Sequence, residues 1–193
     1  MMTYVRETIV TTKNIDGTTK VSPLGIYIDN TKLKIRPFKP SASLDNILRN
    51  RSGVINYIDD VRIFAACITK TNINIEFELA KKIDCSRIKN AISHTEFIVD
   101  EIENDSDRPT IICKPVNEEM HNFYYGLNRA KSSVIELCIL ASRLGIIENN
   151  KIKNEIKYLE IAIEKTAGEA EIEAWNCVLK YINNYMNKVD KDA

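Results

Sequence analysis

Two cations, Arg36 and Lys39, and two hydroxyls, Ser41 and Ser43, fall within eight residues of the stretch IRPFKPSASLDNILRN (35–50). The chemistry such a group suits is anion binding, and a phosphate above all. A guanidinium offers paired donors and an ammonium a point charge. Ser43 is placed to cap a short helix, Leu44 to Asn50, whose first turn would add free N–H groups. From local chemistry alone, an ordinary surface connection carrying a capped helix accounts for the same residues equally well.

Other chemistries leave less trace. There is no G-x-G-x-x-G, no P-loop lysine after a glycine-rich turn and no G-x-S-x-G. His94 and His121 stand in no triad or metal spacing and read as surface or satisfied structural histidines. Glu118 and Glu119 adjoin in an expected loop, where solvation explains them. Asn128 and Arg129, at the start of a long helix, either solvate its end or reach towards a barrel ligand. The five cysteines, Cys67, Cys85, Cys113, Cys138 and Cys177, are scattered and form no C-x-x-C, which disfavours structural zinc. Each reads as a small buried hydrophobe, and reduced thiols fit a cytoplasmic protein.

The elements that must position these groups follow from pattern. Glu7 to Thr12, Val21 to Asp29 and Lys32 to Arg36 read as strands, joined by turns at Asn14 to Gly17 and at Asp29 and Asn30, an antiparallel meander. Pro23 and Gly25 mark either a bulge on an edge strand or an edge over which a flat ligand lies. Val54 to Ile58 is an apolar strand. Asp59 is a natural N-cap for a helix with Val61, Phe64, Ala65 and Ile68 on one face. Thr71 to Lys89 reads as a loop with short elements, Ala91 to Glu103 and Thr110 to Val116 as two further strands. Three helices then follow. The first carries Leu127, Ala130, Val134, Leu137, Cys138, Ala141 and Leu144, with Ile135 and Ile139 as a second apolar edge. The second carries Ile152, Ile156, Leu159 and Ile163, the third Ile172, Trp175, Leu179, Ile182 and Met186; Asp190 to Ala193 should fray. The boundary is expected near Met120, with a barrel over 1–120 and a helical domain over 121–193.

The chain has 193 residues, enough for a real core, and its 27 basic and 27 acidic side chains cancel. That balance argues against a nucleic-acid partner and against recruitment to anionic lipid. The first residues carry charge and no apolar signal core, and no segment approaches a membrane-spanning length.

The segments ETIVTT (7–12), DGTTKVSPLGIYID (16–29), IRPFKPSASLDNIL (35–48) and GVINYIDDVRIFA (53–65), in this order, resemble a prokaryotic flavoprotein family catalogued as a domain of unknown function. YYGLNRAKSSVIELCILASRL (124–144) and EKTAGEAEIEAW (164–175) are similar to that family's helical C-terminal part. The resemblance implies an α+β fold: an antiparallel FMN-binding split β-barrel, related in architecture to flavin reductases and pyridoxamine-phosphate oxidases, with a C-terminal three-helix part. It implies FMN as cofactor and a homodimer that closes the flavin groove. Arg36, Lys39, Ser41 and Ser43 would then hold the phosphate. Pro37 and Phe38 would lie beside the ribityl chain, Thr12, Pro23, Leu24 and Gly25 along the isoalloxazine, and Asn56 and Asp59 at its polar edge. Pro40 departs from the glycine of the family's R-P-F-K-G-S pattern and removes one backbone donor. The function implied is an FMN-dependent oxidoreductase passing electrons, from a nicotinamide for instance, to a small conjugated substrate. The alternative is a non-catalytic flavin-binding or sensing module that recruits a partner through its helices. No side chain stands out as a catalytic acid, because the cofactor would carry the redox step.

Overall fold

A computed structural model describes residues 4–29 and 32–192; the expected turn at Asp29 and Asn30, and Ala193, fall at or beyond these limits. Eight strands and five helices alternate along the described residues: β1 (Tyr4–Lys13), β2 (Thr19–Asp29), β3 (Lys32–Ile35), α1 (Ala42–Asn50), β4 (Ser52–Tyr57), α2 (Val61–Thr69), β5 (Phe77–Leu79), β6 (Ser86–Ile88), β7 (Ser93–Glu103), β8 (Thr110–Met120), α3 (Arg129–Ala141), α4 (Asn149–Thr166) and α5 (Glu169–Asp192). They form two compact units. One holds residues 1–59 and 74–124, the other 60–73 and 125–193.

The first unit is a closed antiparallel barrel in the order β1-β2-β3-β8-β7-β4. β1 covers the predicted Glu7 to Thr12 but begins earlier, at Tyr4, and is rich in β-branched residues. The Asn14–Gly17 turn takes the expected form: Gly17 sits at φ +85, and Asp16 accepts from the Thr18 N–H and hydroxyl. Side-chain alternation then sorts each strand. Val10, Ile26, Ile35, Ile55, Phe97, Val99, Ile111 and Cys113 fill the barrel, joined by Leu44 and Ile47 of α1. Gly53 is part of this packing, since a Cβ there would lie 2.8 Å from the Phe97 ring. The opposite face of β1, β4 and β7 carries Thr11, Asn56 and Glu96, and residues 76–92 cover it. Thr11 Oγ1 donates to the Ser86 carbonyl, the Ile88 N–H to Asn56 Oδ1, and the Lys81 and Lys82 N–H groups to Glu96. The short β5–β6 hairpin within that segment is the irregular stretch that showed no period in the sequence.

No bulge occurs at Pro23. β1 and β2 pair without a register shift through Ile9↔Pro23, Thr8↔Leu24 and Glu7↔Gly25. β3 reaches β2 only from Ile26 onward, so Pro23 needs no second ladder partner. The register shifts lie instead between β7 and β8, at Glu96/Phe97 and Val99/Glu101. β8 continues past Val116, which places Glu118 and Glu119 on a strand rather than in a loop.

Two caps differ from expectation by a residue or two. Ser41, not Ser43, caps α1, its Oγ accepting from the Leu44 N–H at 3.3 Å. Asp60, not Asp59, caps α2: its carboxylate accepts from the Arg62 N–H and also pairs with the Arg62 guanidinium. In each case two serines or two aspartates stand close together, and backbone direction selects between them.

In the second unit α2 packs on α3 and α5, and α3 on α4 and α5. The predicted stripe of α3 is buried from Ala130 to Ala141, but Leu127 lies outside the helix and is 96% exposed. Ile135 and Ile139 are half-buried. On α5 the buried line is Trp175, Val178, Ile182 and Met186, so Leu179 is only half-buried and Ile172 is exposed. Asn128 serves the fold: its Oδ1 caps α3 at Ala130 and Lys131, and its Nδ2 donates to the Thr166 carbonyl of α4. Cys85, Cys113 and Cys138 are buried and Cys67 and Cys177 half-buried; burial pushes Cys113 and Cys138 up to about 12.

Candidate functional site

The chain leaves β3 at Ile35, turns across the barrel end and enters α1, and this passage gathers most of the predicted phosphate group. Arg36 is exposed with its guanidinium 5.6 Å from the centre of the Tyr27 ring. Pro37 is buried and Phe38 is exposed. Lys39 donates Nζ to the Asp105 carbonyl at 2.8 Å and its N–H to the Asp107 carbonyl at 2.9 Å. Ser43 is buried against β2, its Oγ 2.6 Å from Ser22 Oγ.

A donor count shows what remains for a ligand. Ser41 Oγ accepts from Leu44 and keeps its own O–H to give. Of the paired Ser22 and Ser43 hydroxyls, one donates to the other and one O–H is left over. Lys39 has two further ammonium hydrogens, and Arg36 presents its guanidinium to solvent. The first helical turn adds N–H groups that have no intrahelical partner. A dianionic oxyanion is the natural complement to such a set.

The turn between β7 and β8 contributes a residue that the sequence did not single out. Arg108 donates Nε to the Arg36 carbonyl at 2.8 Å and a terminal nitrogen to the Tyr27 hydroxyl at 2.9 Å. Its guanidinium lies 4.4 Å from the centre of the Phe38 ring. Asp105 accepts from the Arg108 and Asp107 N–H groups, and these bonds, with Lys39 and Arg36 nearby, hold its carboxyl below the usual range. Arg108 therefore brings a third cation to the group and fixes the backbone of the first. Its only sequence signal is an arginine before proline in a polar turn, too common to be read without the fold.

The expected flavin contacts divide. Pro23, Leu24 and Gly25 line β2 just before Ile26, the residue that pairs with Ile35, and so run beside Arg36. At Gly25 a Cβ would meet Val5 at 2.9 Å, so close strand packing already calls for glycine there. Asp59 is half-buried at the end of β4. Thr12 and Asn56 are not brought to a surface, since both are 0% exposed. Thr12 Oγ1 accepts from Asn46 of α1. Asn56 donates to the Ile9 and Val54 carbonyls and to Thr11 Oγ1, and accepts from Ile88. Both side chains tie the barrel to its coverings, a role that strand position alone does not reveal.

With the barrel and this cluster in place, comparison with known proteins is decisive for the family. The N-terminal domain model of the DUF447 proteins of unknown function matches residues 6–122, and the DUF447 C-terminal model matches 128–180. The chain belongs to the DUF447 family. An FMN-bound DUF447 protein from Methanosarcina mazei superposes with a TM-score of 0.81 at 21% identity, over 92% of this chain and 94% of that one. The 2-nitrobenzoate 2-nitroreductase NbaA of Pseudomonas fluorescens matches at a TM-score of 0.51 and 16% identity, over 60% of this chain and 64% of its own. A split-barrel protein of Shewanella frigidimarina assigned as a flavin reductase gives 0.51 and 13%, over 60% and 66%. No curated protein matches the sequence. The DUF447 chain thus has the split-barrel fold expected from its motifs. Among its described residues no helix is long and apolar enough to cross a membrane, and no group of histidine, cysteine and acidic side chains could hold a metal ion.

Proposed function

We propose that this DUF447 protein binds FMN, with the phosphate held between Arg36, Lys39, Ser41 and the first turn of α1, and that it works as a flavin-dependent oxidoreductase on a small substrate. The observation that carries the reading is the donor set at the entry to α1, in a chain whose family includes an FMN-bound member of the same fold. Arg36, Phe38 and Pro23 to Gly25 lie where β2 and β3 meet and would flank the ribityl chain and ring. Bound flavin would supply the redox chemistry; the chain's part is to fix its position, with Arg108 orienting Arg36 and Phe38.

The working form in this proposal is a homodimer. Phe123, Tyr124, Tyr125 and Leu127 are exposed apolar side chains close together in sequence, the kind of surface that a closed two-fold dimer buries. FMN titration followed by flavin fluorescence tests cofactor binding, and anaerobic reduction with reduced nicotinamides, followed by a panel of acceptors, tests catalysis. A protein that leaves flavin fluorescence unchanged overturns the first. Flavin binding without any turnover favours a sensing module that recruits a partner through its helices.

A further inference from the structure

The barrel has two ends, and only one is stoppered by α1. That helix bonds to the end of β1 at Thr12 and Lys13 and to Asn14 of the turn that follows, and it leads into β4. At the other ends of β1 and β4 a cavity of about 320 Å³ opens, lined by Arg6, Tyr57, His94, Thr95, Glu118 and Met120 among others. Its volume is at the lower end of small-molecule sites. It shares no residue with the cluster around Arg36.

Alternation makes this mouth unusual. The core positions Val10, Ile55 and Phe97 are followed, two residues nearer the mouth on each strand, by Thr8, Tyr57 and Thr95, and then on β1 by Arg6. Inward positions thus change from apolar to polar just where the cavity begins. Their hydrogen bonds have a direction. Thr95 donates to Glu118 Oε1 at 3.1 Å, so the Tyr57 hydroxyl, 3.3 Å away, donates to Thr95. Glu118 keeps its second oxygen as an acceptor. The Arg6 guanidinium stands 6.0 Å from the Tyr57 ring centre and 5.6 Å from that of Tyr4, a donor beside aromatic surface. His94 closes one wall and is held rigid by Glu96 and His121 on its two nitrogens.

We propose that the barrel mouth is a ligand site for a neutral lactam-type heterocycle, a flat ring with an N–H beside a C=O. The N–H would give to Glu118, the C=O would accept from Arg6, and the ring would rest against Tyr57 and the Met120 thioether. Glu119 also lines the cavity but is paired with Lys81 at 2.8 Å, so Arg6 and Glu118 are left to cancel in charge, and the pair discriminates against a bare anion or a bare cation and selects an edge carrying both donor and acceptor. The proposal does not depend on FMN occupying the Arg36 cluster.

The test is calorimetric titration of quinazolinedione and of its N,N′-dimethyl derivative, which lacks the N–H, into protein with and without saturating FMN. Quinazolinedione is expected to bind in both cases, and the dimethyl compound about tenfold or more weakly, the cost of leaving a charged acceptor unpaired. Glu118→Gln, which keeps the acceptor for Thr95 but presents an amide N–H to the ligand, should lose quinazolinedione to the same degree while melting as the wild type does. Should that variant misfold, Arg6→Gln at the exposed rim replaces it. Equal binding of the two compounds, no binding of either, full affinity in the variant, or displacement of quinazolinedione by FMN would each overturn the site.

Discussion

His94 Nδ1 lies 2.8 Å from His121 Nε2, with the two ring planes within 12° and their centres 5.0 Å apart. A nitrogen contact that short between nearly coplanar rings is an edge-to-edge hydrogen bond rather than a stack. Glu96 Oε1, 3.3 Å from His94 Nε2, accepts from that nitrogen's N–H, which leaves His94 Nδ1 as the acceptor and His121 Nε2–H as the donor. A proton added to His121 goes to its Nδ1 and leaves this bond in place, so what opposes the added charge is burial and the cations nearby.

This arrangement predicts a pH dependence of stability. Burial, then Arg87 and His94 nearby, hold His121 below the ordinary histidine value of 6.5, against the opposing pull of Glu119 and Glu78. The folded protein therefore takes up this proton less readily than the unfolded chain. Stability from His121 is full above the ordinary value, falls as pH drops through it, and levels off once the folded form is protonated too. Melting temperatures between about pH 8 and about pH 5 should decline less in His121→Gln than in the wild type. Parallel pH profiles would show that His121 does not titrate in this way.

Glu96 is the anchor of the covering segment. It accepts from the Lys81 and Lys82 N–H groups at 2.8 and 2.7 Å and from Asn117 at 2.9 Å. Burial pushes its carboxyl up, but these donors outweigh burial and hold it below its usual value. Glu96→Gln turns one acceptor into a donor aimed at a backbone N–H, and should cost on the order of 2–3 kcal/mol in urea unfolding. Hydrogen exchange at Lys81 and Lys82 should rise at the same time. Unchanged exchange there would mean that the segment is held by other contacts.

Arg36→Ala should weaken FMN far more than riboflavin, by roughly 1.5–3 kcal/mol, because it removes a charged donor from the phosphate. Arg108→Lys is expected to weaken both ligands. An ammonium cannot at once reach the Arg36 carbonyl and the Tyr27 hydroxyl while standing over the Phe38 ring, as the guanidinium does. Equal losses of FMN and riboflavin in Arg36→Ala would remove Arg36 from the phosphate site.

The dimer proposal makes a prediction about exposed residues. Phe123 and Leu127 are 80% and 96% exposed, so replacing both with serine should leave the melting temperature of a monomer nearly unchanged. In a dimer built on this run, the same change should halve the mass seen by light scattering at low micromolar concentration. A wild-type protein that scatters as a monomer would remove the dimer altogether.

Sequence alone determined the barrel strands β1 to β4, the helical C-terminal part and the cation–hydroxyl group around Arg36. Each is written in short-range terms: β-branched runs, an Asp-Gly turn, apolar spacing along helices, and charges packed into one connection. The R-P-F-K stretch and its neighbours also carried the family resemblance that the domain models bear out. What only the tertiary structure decided depends on partners far apart in the chain. Thr12 and Asn56 read as strand residues able to face a ligand, yet Asn46 and Ile88, 34 and 32 positions away, take their polar atoms inside. Glu118 and Glu119 read as solvated loop acids in the sequence, whereas in the structure β8 runs on and pairs them with Thr95 and His94. α2 followed the barrel strands in sequence but packs with α3 and α5, because its apolar face of Val61, Phe64 and Ala65 finds its match there. Local pattern states which face of an element is apolar; which other segment supplies the hydrogen bonds and the buried surface is settled only when the chain closes on itself.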